Sequence, residues 1–399
     1  MVALNAPEVT TPPESRRKPG GFRADVQVLR AVAVLLVVLY HAGVPGLAGG
    51  YIGVDVFFVI SGFLITGLLV KEQERTGTIS ILKFYGRRMR RIMPAAALVL
   101  LATVVASYHW LGYIRGAHIA EDAQWSAVFL ANFHFAAIGT DYLNAQSDPS
   151  TLQHFWSLAV EEQFYVVWPA LFLVLGRVRR RIAPVVLIVA ASYVFSIVAT
   201  TQNATQAYFS PFTRACELGA GALLALLADR TARLPRSAGH VLSIGGMIAI
   251  VVAACTMTDA MAFPGAIVAV PVLATCAVLA GGSVIAGTRL DEVYRFRPVQ
   301  LIGLWSYSLY LWHWPLLTIA EERLGHAPAP TVRAILVLAA VALSAVTYYV
   351  LENPVRNLPV LRRRAVVSVA MGLVLIAVVV AVTVAEVTSH PAIPVHSAF

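Results

Sequence analysis

The residues of this chain that could do chemistry sit where hydrocarbon is expected. In "LRAVAVLLVVLYHAG" (Leu29 to Gly43) an arginine and a histidine interrupt an otherwise apolar run, with Arg30 near its start and His41 near its end. Eleven residues make close to three turns at 3.6 residues per turn, so a helix sets both side chains on one face, about 16 Å apart. A histidine held in such a place can act as general base or as nucleophile. An arginine presents a planar fork that matches phosphates. The plain alternative is an interfacial arginine that snorkels and a histidine satisfied by a neighbouring helix.

Further ionisable groups interrupt the later runs. Asp55 of "GVDVFFVISGFLITGLLVKE" lies within reach of His41 across the short "VPGLAGGYI" connection, and a carboxylate there would fix one imidazole tautomer and raise its basicity. Capping of a helix start is the alternative role. Gly62, seven residues on, shares the Asp55 face and permits close helix approach. In "TLQHFWSLAVEEQFYVVWP", His154 and Glu161 share a face while Glu162 points about 100° away. Adjacent carboxylates in a span are expensive unless paired or lining a wet cavity. Arg214 of "FTRACELGAGA", three residues before Glu217, is a candidate partner for one of them.

Two more stretches complete the inventory. "LIGLWSYSLYLWHWPLL" stacks Ser306, Tyr310 and His313 on one stripe among Trp305, Trp312 and Trp314, which suits a membrane aromatic belt and equally a sugar-stacking surface. "LKFYGRRMRRIMP" places Lys83, Arg87 and Arg91 on one helical face with Arg88 and Arg90 beside it. Such a face contacts anionic lipid or binds a ligand bearing several phosphates. "ENP" (Glu352 to Pro354) reads as a structural helix stop, and "HIAED", with His118 and Asp122, lies in a polar stretch and is set aside. The sequence has no Gly-rich phosphate loop, G-x-S-x-G elbow or H-E-x-x-H motif, and its three cysteines lack metal-ligand spacing. Neither a metal nor a bound cofactor is expected.

The elements that must position these residues follow from composition. The 399 residues are 58% hydrophobic and 13% charged, with mean hydropathy +0.74, whereas a soluble domain carries about 25% charged residues. The fold expected is all-α, a polytopic integral membrane protein. Apolar stretches of spanning length begin near Val28, Gly53, Pro94, Phe155, Ile182, Phe212, Val241, Phe263, Val299, Thr331 and Ala365, which makes eleven. The mixed segment at roughly 119–139 reads as one re-entrant or interfacial helix. The net charge of +9 does not imply nucleic acid, because the basic residues cluster between apolar runs as the positive-inside rule requires. Only Arg115, Arg214, Arg323 and Arg333 fall on the outer side, leaving 26 of 30 inside, so the topology expected is N-in, C-out. The first run lacks a cleavage site and reads as a retained span. An abundance of Arg over Lys, with much Ala and Val, fits a GC-rich bacterial genome and hence a bacterial plasma membrane.

Taken in order, "R-x10-H" across Arg30 and His41, "GGYIGVDVFFVISGFLI", "YGRRMRRIMP", "HFWSLAVEEQFYVVWP", "RACELGAGA", "SYSLYLWHWP" and "ENP" resemble acyltransferase family 3, whose members O-acylate envelope glycans, glycolipids and some macrolides. The resemblance runs over roughly residues 22–355. Together with the polar start and the apolar runs, it divides the chain into a disordered cytoplasmic segment 1–22, a membrane acyltransferase domain 23–355 of ten spans, and a region 356–399 holding a basic loop, the eleventh span and a short extracytoplasmic tail. The SGNH hydrolase-like domain that follows in many relatives is not expected, although a separate SGNH or glycan-assembly partner is conceivable.

The resemblance also implies roles. His41 would be essential for transfer and Arg30 would handle the acyl donor, acyl-CoA, a co-substrate made in the cytoplasm. On the residues' own chemistry, Arg87, Arg88 and Arg91 would dock its phosphates, and Asp55 or one of Glu161 and Glu162 would stabilise the His41 imidazolium. His154, Trp156, Arg214, Glu217, Tyr310 and His313 would line the pocket for a glycan or glycolipid acceptor, and membrane lipid would surround the whole. The rival class is a proton-coupled transporter or flippase, in which the same groups form a relay. A non-catalytic partner of a glycan-assembly complex is the third possibility.

Overall fold

The computed structural model describes residues 23–139, 149–175 and 182–389, and those residues form helices and connections without a strand. The N-terminal segment 1–22 and the tail 390–399 invoked above lie outside the described residues.

Each of the eleven apolar runs coincides with a helix: α1 Ala24–His41, α2 Gly53–Thr76, α3 Ile81–Trp110, α4 Phe155–Leu175, α5 Ile182–Gln202, α6 Pro211–Leu226, α7 Arg236–Thr256, α8 Ala269–Gly281, α9 Arg297–Leu324, α10 Pro330–Thr347 and α11 Ala365–Ser389. Among the described residues eight helices are both long and apolar enough to cross a bilayer. The other three differ for identifiable reasons. Helix α6 has 16 residues and α8 has 13. Pro264 and Gly265 break the start of the Phe263 run, so regular helix begins only at Ala269. Helix α9 has ample length, 28 residues, but carries the polar stripe of the site and the charges of Glu321, Glu322 and Arg323. The segment expected as one helix near 119–139 is two, Tyr113–Ala127 and Ala131–Ala137, with Phe129 between them in the left-handed region at φ 56°.

Burial decides which helices can hold polar groups. Helices α1 and α2 are largely enclosed by protein, whereas α5, α10 and α11 leave most of their apolar side chains on the outside. A helix apolar all round is at home in both settings. Only an enclosed one can keep an arginine or histidine from lipid, and α1 is such a helix. It packs along α9 and α2, α2 along α6, and α3 along α11. At Gly303 a Cβ would collide with the Gln27 carbonyl, so the glycine lets α9 lie close against α1. Leu29, Val37, Ile52, Val99, Leu218 and Leu311 belong to one continuous buried core around this pair.

Candidate active site

The end of α1 is an imidazole cluster. His41 is its last residue, and its Nδ1 lies 3.0 Å from Nε2 of His313 on α9. The two rings stack with centroids 5.3 Å apart and planes 12° apart, and Trp314 meets His41 edge-on at 4.4 Å. The Trp314 indole N–H donates to the Ser150 carbonyl at 2.8 Å, which fixes that wall. A third imidazole enters through a gap in α9. Pro315 has no N–H, so the Leu311 carbonyl has no donor four residues on. Nε2 of His154 takes that acceptor at 3.2 Å and brings its ring to 5.8 Å from His313. The "QHFW" and "WHWP" motifs therefore meet for a backbone reason.

About three turns back along α1 and two along α9, the same helix pair turns cationic. Arg30 donates through Nη2 to Ser306 Oγ at 2.9 Å and through Nη1 to Gln27 Oε1 at 3.1 Å. The contacts Arg30–Ser306 and His41–His313 run in the same direction, so α1 and α9 are parallel. Eleven residues of α1 rise about 16 Å while seven residues of α9 rise about 10 Å. The difference, about 6 Å, is taken up towards the imidazoles, because Gly303 meets the Gln27 backbone and so sets Ser306 level with Arg30. Beside it lies a cavity of about 70 Å³ lined by Arg30, Arg88, Arg91, Glu161, Ser306 and Tyr310. The Arg88 guanidinium sits 3.8 Å over the Tyr165 ring. Glu161 accepts from Ser61 Oγ at 2.5 Å and from the Tyr165 hydroxyl. Glu352, in a π-helical turn that ends α10, is buried, accepts from Ser308, and has Arg91, Arg30 and Arg356 as its attractive charges. Towards the imidazoles the cavity ends at Tyr310, whose hydroxyl is 2.7 Å from Ser157 Oγ and 3.0 Å from the His154 carbonyl.

Several expectations need correction. Asp55 is not the partner of His41: it takes Nη1 of Arg214 at 2.9 Å, as Glu217 does at 3.0 Å. The cause is helix contact, because Gly62 lets α2 meet the α6 backbone at Leu218 and the Asp55 face turns to α6. Arg214 therefore neutralises neither Glu161 nor Glu162. Its guanidinium lies 5.3 Å from the ring of Trp156, 4.8 Å from Tyr208 and 5.1 Å from Phe263, all buried. Trp156, Arg214 and Glu217 thus form a sealed structural cluster instead of lining an acceptor pocket. Glu161 faces the Arg30 cavity, at the other end from His41, and Glu162 beside it has Arg88 and Arg91 as its opposing charges. Of the basic helix, Arg88 and Arg91 line the cavity, while Arg87 pairs with Glu72 at 2.9 Å on the exposed side. Arg90 is structural: it is buried and donates to the Leu361 carbonyl at 2.6 Å and to Ser368 Oγ at 3.0 Å.

Other groups escaped sequence reasoning. Glu352 lies in a motif that reads as a helix stop, although a carboxylate closing an apolar run is itself a signal. Ser61 and Tyr165 carry no such signal, since hydroxyls are common in spans. Asp122, set aside as a decoy, holds His134 Nε2 at 2.8 Å and Ser150 Oγ at 2.5 Å, which anchors the Ser150 carbonyl under Trp314. His118 is exposed.

Known proteins resemble this chain over most of its length. A family model described as an acyltransferase domain matches residues 23–349. Peptidoglycan O-acetyltransferase OatA of Listeria monocytogenes is 31% identical over 348 residues, covering 82% of this chain and 55% of that protein. O-acetyltransferase OatA of Staphylococcus aureus is 30% identical over 350 residues, covering 82% and 56%. The chain thus spans about half the length of these curated relatives. No solved structure matches it. The matched range holds Arg30, Arg88 and Arg91 together with His41, His154 and His313, and the chain belongs to acyltransferase family 3.

Proposed function

We propose that this protein moves a short acyl group, acetyl first among them, from cytoplasmic acyl-CoA to a hydroxyl of an envelope glycan or glycolipid beyond the plasma membrane. The observation that carries the reading is the shared axis: an arginine-lined cavity and an imidazole pair lie about three turns apart along α1 and about two turns apart along α9. Cell-wall glycan is the acceptor class favoured by the peptidoglycan O-acetyltransferase among its relatives. Eleven spans with the N-terminus inside, the topology favoured by the distribution of basic residues, would give Arg30 to the cytoplasm and His41 to the outer half.

In this scheme the CoA phosphates bind Arg88 and Arg91, with Arg30 guiding the thioester. Glu161, Glu162 and Glu352 balance those guanidinium charges while the donor is absent, because an unpaired charge in a low-dielectric interior is costly. The cavity's modest size suits a short acyl chain. His41 takes the proton of the acceptor hydroxyl as its oxygen attacks the thioester carbonyl carbon. The C–S bond breaks, and CoA leaves as a thiolate that recovers the proton as a thiol. A two-step route through an acyl-imidazole uses the same side chain. Exclusion of bulk water by the surrounding helices limits thioester hydrolysis. Acyl-CoA is consumed as a co-substrate, and the scheme calls for no bound cofactor.

The test is transfer by the purified protein in proteoliposomes, with radiolabelled acetyl-CoA on one side and soluble glycan oligosaccharides on the other. The expected result is label in an alkali-labile ester on the glycan. Absence of both glycan ester and acetyl-CoA consumption would overturn the proposal.

A further inference from the structure

We infer that His313 is a positioning residue that sets the tautomer of His41 and makes Nε2 of His41 the reacting atom. The inference rests on the catalytic reading of His41 above and deepens it. Its starting point is Nδ1 of His313, which faces two backbone carbonyls of its own helix, Tyr310 at 2.7 Å and Leu309 at 3.2 Å. Carbonyl oxygens only accept, so this nitrogen carries a proton. A neutral imidazole has one N–H, and Nε2 of His313 is therefore a lone pair. His41 approaches that lone pair with Nδ1 at 3.0 Å, so Nδ1 of His41 is the donor. Its own lone pair then resides on Nε2, the reverse of the tautomer that free histidine favours in water.

An imidazole differs from a carboxylate in this position. The carboxylate of a Ser-His-Asp triad orients its histidine and carries a charge at all times. Among buried helices a permanent charge needs a permanent partner, and the buried carboxylates Asp55 and Glu217 are already held by Arg214. His313 is neutral at rest, so the pair is uncharged until His41 takes a proton at Nε2. The cation then shares the Nδ1 proton with His313, whose own N–H stays braced by the Tyr310 and Leu309 carbonyls. The tautomer is dictated by α9, which also carries Ser306, the partner of Arg30.

Two variants and one spectroscopic readout test this. His313→Gln keeps an oxygen acceptor at about the reach of the imidazole Nε2, whereas His313→Leu removes it at similar volume. Loss of the tautomer-holding partner lowers kcat by as much as about 10⁴ in a serine protease. We expect His313→Leu to lower kcat on the order of 10²–10⁴ with both KM values within about twofold, and His313→Gln to stay within about tenfold. In ¹⁵N-histidine-labelled protein in nanodiscs, the resonances lost in His41→Gln report His41. They should show Nδ1 protonated in wild type and His313→Gln, and Nε2 protonated in His313→Leu. Near-normal turnover of His313→Leu alongside an inactive His41→Gln would overturn the role of His313 and leave the catalytic reading intact. A protonated Nε2 in wild type would overturn the tautomer assignment even if His313→Leu does not fold. An active His41→Gln with Nδ1 protonated in wild type would instead sink the catalytic reading, while the hydrogen-bond assignment stood.

Discussion

Two of the charged clusters inside this helix bundle are built on opposite plans. Around Arg214 everything is closed: two carboxylates share one guanidinium, three aromatic rings cover it, and Arg214, Asp55 and Glu217 are each no more than 1% exposed. Around Arg30 the guanidinium groups line a cavity, held by hydroxyls and by carboxylates that are themselves at its edge. The first arrangement joins α2 to α6 and leaves no room for a ligand. The second leaves its charges one exchange away from a new partner. In an apolar interior the presence of charge does not mark a functional site; what marks it is charge beside space.

The sharpest way to break this contrast is to change the imidazole that shares the Arg30 axis and, separately, the centre of the Arg214 cluster. His41→Gln should lower kcat by about 10²–10⁴, the contribution typical of a general base, while the unfolding temperature in detergent stays near wild type. Arg214→Leu should do the reverse. It strands two buried carboxylates, and about 3–5 kcal/mol of stability should go with it, seen as loss of folded, extractable protein. Asp55→Asn keeps an acceptor for Arg214 and should hold turnover within a few-fold. Abolished transfer in Asp55→Asn at an unchanged unfolding temperature would show that the two clusters are one machine.

The same contrast explains which parts of the site the sequence could reveal. Spacings of eleven and seven residues are close to whole helical turns, so Arg30 with His41, and Ser306, Tyr310 and His313, could be placed on common faces before any fold was known. The partner across each interface could not. Asp55 lies a short loop from His41 and yet bonds Arg214, because helix contact at Gly62, and not chain proximity, chose its neighbour. Glu161 and His154 share a face, but seven residues of rise separate them, which gives one to the arginines and the other to the imidazoles. The eleven apolar runs were legible as helices, whereas the shortness of α8 depended on where Pro264 and Gly265 interrupt the chain. Glu352 was hidden by its motif, since a helix stop and a buried carboxylate use the same residue.

A finer cut runs within the basic helix. Arg91 lines the cavity, and a charged hydrogen bond to a phosphate contributes about 1.5–3 kcal/mol. Arg91→Met should therefore raise the KM for acyl-CoA by about tenfold or more and leave the KM for the glycan within about twofold. Equal rises in both would mean that Arg91 acts through packing and not through the donor. Glu352→Gln tests the balancing role from the other side: with one carboxylate neutralised, the arginines should hold acyl-CoA more tightly, lowering its KM by about two- to fivefold. A higher KM in this variant would assign Glu352 to holding the arginines in place.

The smallest effect is expected one turn back on α3, and it decides where the donor site ends. Arg87 belongs to the same "RRMRR" run as Arg88 and Arg91, and composition alone cannot separate them. The structure gives Arg87 to Glu72 on a face where its side chain is 41% exposed. A pair of that kind contributes about 0–1 kcal/mol and is screened by salt. Arg87→Met should shift the KM for acyl-CoA by less than about twofold, and raising the ionic strength should remove what difference there is. CoA nevertheless carries phosphates at some distance from its thioester, and a nucleotide end lying along the α3 surface would draw Arg87 away from Glu72. In that case Arg87→Met and Arg91→Met would raise the donor KM equally, with both effects weakening in salt. The boundary between cavity and surface would then be a property of the empty protein, and the phosphate site would extend along the whole basic face of α3.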